Sequence, residues 1–166
     1  VAVNSGASGN MVGGADSGAR NVISGNLDDG VDVDDGTSVD NVLRGNYIGT
    51  NVTGTVAVAN VQGGVGILDE AYENTIGGNT SGERNVISGN NGPGVWIVGA
   101  TLNEVLGNYI GLKVAGDVAL GVALDAPPAG WRLVNRADAK GAMAALLSGG
   151  GADVHGDAPW LAELPR

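Results

Sequence analysis

The chain has 166 residues, room for one ordinary domain, and contains 31 Gly and 16 Asn but neither Phe nor Cys. A net charge of −10 speaks against a nucleic-acid partner and against an anionic membrane surface, both of which would be repelled. Without cysteine there is no disulfide framework and no thiol nucleophile.

The chain opens on VAVNSGASGN, which has no basic residue and no apolar signal core, so no signal peptide is expected in it. No later stretch is long and apolar enough to insert into a bilayer as a helix. Val12 to Asn26 (VGGADSGARNVISGN) and Ile76 to Asn90 (IGGNTSGERNVISGN) match at 11 of 15 positions, at an offset of 64. The match extends to Val1–Val3 with Val65–Ile67 and to Val31–Val33 with Val95–Ile97. An internal repeat of this kind outranks any local signal.

Apolar segments recur at Val1–Val3, Val22–Ile23, Val42–Leu43, Val65–Ile67, Val86–Ile87 and Val105–Leu106, spaced by 19 to 23 residues. A second set falls between them, at Met11–Val12, Val31–Val33, Tyr47–Ile48, Thr75–Ile76, Val95–Ile97 and Tyr109–Ile110. Such short β-branched segments bounded by Gly and Asn read as strands and turns rather than helices. Units of about twenty residues cannot bury an apolar face alone and must stack. The expectation is an all-β parallel solenoid of five to six coils over residues 1–121, three coils to each 64-residue unit. The recurring Gly-Asn pairs (Gly9-Asn10, Gly25-Asn26, Gly45-Asn46, Gly89-Asn90, Gly107-Asn108) are expected to make sharp turns and stacked amide ladders.

GNYIGTNVTGTVAVAN, NTIGG, SGERNVISGN and GVWI resemble repeats of right-handed parallel β-helix proteins of the pectate-lyase-like superfamily. The resemblance covers about Val1 to Gly121 and rests on turn and core positions. It implies an extracellular or cell-surface setting and a polysaccharide or glycan partner. The superfamily includes lyases, glycosidases, alginate epimerases and adhesin-like stalks, so the fold leaves the activity open.

After Gly121 the pattern breaks at Pro127-Pro128, and Arg136 to Leu147 reads as an Ala- and Leu-rich helix stopped by Gly149–Gly151. Residues 122–166 are expected to form a C-terminal segment that caps the last coil, whose strand edges would otherwise lie open.

Asp28, Asp29, Asp32, Asp34, Asp35 and Asp40 form the densest polar feature. Inward Val31 and Val33 would turn Asp32 and Asp34 outward together. Asp28, Asp32, Asp34 and Asp35 are candidate calcium ligands, since hard oxygen donors suit that ion, and a solvated acidic face is the alternative. Lyases of the resembled superfamily join acidic calcium ligands to a basic residue, and Arg44 is the candidate here. Arg20 and Arg84, at equivalent repeat positions, read as structural. His155, the sole histidine, lies in the tail, which excludes a His-based triad or metal site in the repeats. Trp96 stands where the earlier copy has Asp32 and should face outward, to stack on a ligand or to lie under the tail near Trp131 or Trp160. Trp96 and Asp32 are therefore the candidate ligand-binding pair.

Two functional readings follow, a non-catalytic surface module for adhesion or polysaccharide contact and a polysaccharide lyase or epimerase working on the Asp28–Asp40 face. A degenerate product without specific activity is a third.

Overall fold

A computed structural model describes residues 1–121. The expected C-terminal segment, with its helix, its capping role, Trp131, His155 and Trp160, lies outside the described residues.

All twelve apolar segments are strands: β1 Ala2–Val3, β2 Met11–Gly13, β3 Val22–Ile23, β4 Val31–Val33, β5 Val42–Arg44, β6 Tyr47–Ile48, β7 Val65–Leu68, β8 Thr75–Gly77, β9 Val86–Ile87, β10 Val95–Val98, β11 Glu104–Leu106 and β12 Tyr109–Ile110. They form three four-stranded sheets, β1-β4-β7-β10, β2-β5-β8-β11 and β3-β6-β9-β12, and every pairing is parallel. Each coil contributes one strand to each sheet, so the described residues make a parallel β-solenoid of four coils.

Four coils replace the expected five to six, and the 64-residue unit holds two coils rather than three. Val3, Val33, Ile67 and Ile97 occupy successive levels of the first sheet, at intervals of 30, 34 and 30 residues. The doubled unit has a local cause. The second and fourth coils each carry an excursion after the third-sheet strand, closed by antiparallel bridges Thr50–Ala57 and Leu112–Ala119. Alternate coils therefore differ, and only every second one matches.

The interior is a stack of aliphatic side chains. Val31, Val33, Leu43, Ile48, Val65, Ile67, Ile76 and Ile87 are fully or almost fully buried and join one cluster. Each such side chain contributes roughly 1.5–3 kcal/mol by leaving water. Three sides built of two- to four-residue strands enclose a narrow core, which suits Val and Ile and fits the absence of Phe.

Three asparagine ladders run along the corners. Asn10, Asn41, Asn74 and Asn103 form one, Asn21, Asn46, Asn85 and Asn108 a second, and Asn26, Asn60 and Asn90 a third. At each step the side-chain Nδ2 and the backbone N–H of one Asn both donate to the Oδ1 of the next. The freed Nδ2 hydrogen goes to a backbone carbonyl, as from Asn46 to Val12 and from Asn85 to Leu43 (both 2.8 Å). Corner backbone that has no ladder partner is satisfied in this way, as burial requires.

Candidate functional site

Alternation along the first sheet separates its two faces. Val31 and Val33 point into the core, and Asp32 between them points out. Trp96 takes the same outward place in β10 and registers with Gly66 in β7, which in turn registers with Asp32 in β4. The glycine explains the geometry. A Cβ on Gly66 would come within 2.7 Å of Trp96 Nε1 and 3.0 Å of Asp32 Oδ1. With no side chain there, the indole lies across a whole strand towards the acidic level.

Asp29, in the turn before β4, joins this arrangement. It is only 8% exposed, and its Oδ1 lies over Gly63, 2.8 Å from where a Cβ would stand. Asp29, Gln62, Gly63, Pro93 and Trp96 line a shallow cleft of about 270 Å³. Asp29 Oδ1, Asp32 Oδ1 and Trp96 Nε1 are buried from solvent without a well-formed hydrogen bond among the described residues. Orphaned polar atoms are uncommon in folded proteins and each calls for a reason. Here Asp29 and Trp96 line the cleft, and Asp32 stands beside the indole over Gly66.

Burial pushes the carboxyl of Asp29 above its ordinary range, against the pull of the Gly63 amide. Burial does the same to Asp32, reinforced by Asp29, Asp34 and Asp28. Asp35 behaves oppositely. Its carboxylate accepts from Thr37 Oγ1 (2.6 Å), from the Thr37 amide (2.9 Å) and from the Ser5 amide, which lowers it to about 2.

These shifts set a pH dependence. A group raised in the folded state contributes stability that is present below its unfolded value and lost as pH rises through the folded value. Asp29 and Asp32 therefore contribute stability that is present below about pH 4 and is lost as pH rises through their raised folded values. Asp35 contributes stability above about 4 that is lost as pH falls towards 2. Asp29→Asn removes a buried charge and should raise the melting temperature at pH 7 on the order of 3 °C. The gain should vanish near pH 4. Thermal melts across pH check both, and a drop in stability at pH 7 would show that the charge is compensated.

The four candidate calcium ligands go to different places. Asp28 is exposed, Asp32 lies over Gly66 beside the indole, and Asp35 serves the turn together with Asp34, whose Oδ1 accepts from the Asp35 amide. Among the described residues no three acidic or histidine side chains gather as metal ligands would. Arg44 lies in the second sheet, where its guanidinium pairs with Glu83 at 3.0 Å and donates to Met11 Sδ. Arg20 and Arg84 are equivalent and structural. Each caps the tyrosine of the next coil, 4.3 Å above Tyr47 and 4.2 Å above Tyr109, and donates to a corner carbonyl, Gly45 or Gly107.

Gln62 and Pro93 carry no signal of a site in the sequence, and Asp29 stands there only as one member of the acidic run. A coil length near 30 would have aligned Asp32, Gly66 and Trp96 in one outward row. Comparison with protein-family models, curated proteins and solved structures finds no match to this chain.

Proposed function

We propose that the chain is a non-catalytic repeat module that contacts polysaccharide through the outer face of its first sheet. The observation that carries this reading is the cleft of Trp96 and Asp29, which joins an indole to unpaired carboxylate oxygens. A sugar ring offers an apolar face to the indole and hydroxyl donors to carboxylates. The solenoid supplies a rigid, extended platform for such a contact, consistent with the resemblance to right-handed β-helices of the pectate-lyase-like superfamily and its surface setting. The engagement of Arg44 with Glu83 ties up the candidate base of the enzymatic reading and so favours the non-catalytic one.

Affinity electrophoresis through gels cast with different polysaccharides tests the proposal. The chain should be retarded by at least one of them, and Trp96→Ala should weaken retention about tenfold or more, as loss of a buried aromatic anchor does. Arg44→Ala should leave retention unchanged. Equal retardation of the Trp96→Ala variant would remove the cleft from the account.

A further inference from the structure

The charge balance of the same cleft narrows the ligand, on the footing of the polysaccharide reading above. Asp29 is more than nine-tenths buried, and its Oδ1 makes no well-formed hydrogen bond among the described residues, the Gly63 amide and the Trp96 indole N–H acting on the carboxyl only weakly. Asp32 Oδ1 is equally unpaired. Asp28 and Asp34 add like charge from either side. Among the described residues the one ion pair joins Arg44 to Glu83, so no side-chain cation neutralises this pair there. The Val1 amine, bound to the Gly30 carbonyl at 2.7 Å, is the smallest opposing effect on Asp29 and the one opposing effect on Asp32, and both carboxyls remain raised despite it.

Neutral hydroxyls would supply hydrogen-bond donors and leave the repulsion in place. A uronate would add to it. An ammonium supplies donors and relieves it at once, and it is also attracted by an aromatic face within about 6 Å. The cleft of about 270 Å³ lies just under the usual range of small-molecule sites, so it admits roughly a single ring rather than a drug-sized ligand.

We propose that the cleft of Asp29 and Trp96 recognises an amino sugar with a free amine, as one unit of a cationic polysaccharide. The ammonium donates to the Asp29 carboxylate, where it also offsets the like charge of nearby Asp32, and the apolar face of the ring lies against the indole.

Isothermal titration calorimetry at about pH 6, where such amines are charged, tests this in moderate salt. The probes are a glucosamine trisaccharide, its fully N-acetylated counterpart, a galacturonate trisaccharide and tri-lysine. The glucosamine trisaccharide should bind at least about tenfold tighter than each of the others. Trp96→Ala and Asp29→Asn should each lose about tenfold or more of that affinity. Gly66→Ala should lose as much without altering any charge, because its methyl group would displace the indole. Asp117→Asn, an equal charge change at an exposed residue of the last excursion, should bind as the parent does. A cooperative melt well above the titration temperature confirms that each variant folds.

Equal binding of the N-acetylated trisaccharide would overturn the amine inference and keep the polysaccharide reading. Tri-lysine matching glucosamine would also overturn the inference, in favour of a basic peptide. Binding of none of the glycans, with retardation absent in every polysaccharide gel, would remove both.

Discussion

Replacing Asn74 with Ala should cost about 3–5 kcal/mol, roughly 10–20 °C in melting temperature. Asn74 is fully buried in the middle of its ladder. Its Oδ1 accepts both the backbone and the side-chain N–H of Asn41, each at 3.0 Å. Its Nδ2 reaches Ser38 O, Tyr72 O and Asn103 Oδ1, all at 3.0 Å. Truncation leaves the buried Asn41 amide and Ser38 carbonyl unpaired, and each orphan costs about 1–3 kcal/mol. Asn10 stands at the exposed end of the same ladder and makes its steps only to Asn41. Asn10→Ala should cost about 1 kcal/mol. Equal losses at the two positions, measured by denaturant unfolding, would mean that burial of the ladder carries no stability.

Gly45→Ala should be still more damaging, at about 4 kcal/mol or more, enough to prevent folding of a marginal domain. Gly45 has φ +71°, and a Cβ there would lie 2.0 Å from the Gly14 carbonyl oxygen and 3.0 Å from that of Gly82. Those oxygens belong to the coils on either side, so relief requires the coils to separate. Gly9 has a similar φ of +64° with nothing within 4 Å among the described residues. Gly9→Ala should show only the left-handed backbone penalty, about 1–2 kcal/mol. The difference between the two substitutions measures how closely the coils stack. Thermal melts of similar depth for both would contradict the described inter-coil spacing.

Strand positions were legible in the sequence because each is a short β-branched segment fenced by Gly or Asn. Coil length was not. All three sides bury the same kinds of residue, so a spacing of about ten between segments does not say how many sides close a turn. Alternate segments recur about every twenty residues, whereas three consecutive segments make the coil. The informative signal was the asparagine spacing. Asn10, Asn41, Asn74 and Asn103 recur at intervals near 30, but Asp40, Glu73 and Leu102 precede the last three, and a search for Gly-Asn passes over them. Those three residues hold positive φ themselves, doing the work expected of Gly. The outward placement of Trp96 and Asp32 followed from alternation alone. The burial of Asp29 did not, because it depends on Gly63 and Pro93 of later coils.

The first sheet is proposed to bind polysaccharide without transforming it. The direct test incubates the full chain with neutral, amino and acidic polysaccharides, and follows binding and product release in the same samples. Binding lost in Trp96→Ala, with no shortening or epimerisation of any chain, is the predicted result. Cleavage or epimerisation of an acidic polysaccharide, lost in Arg44→Ala, would contradict it.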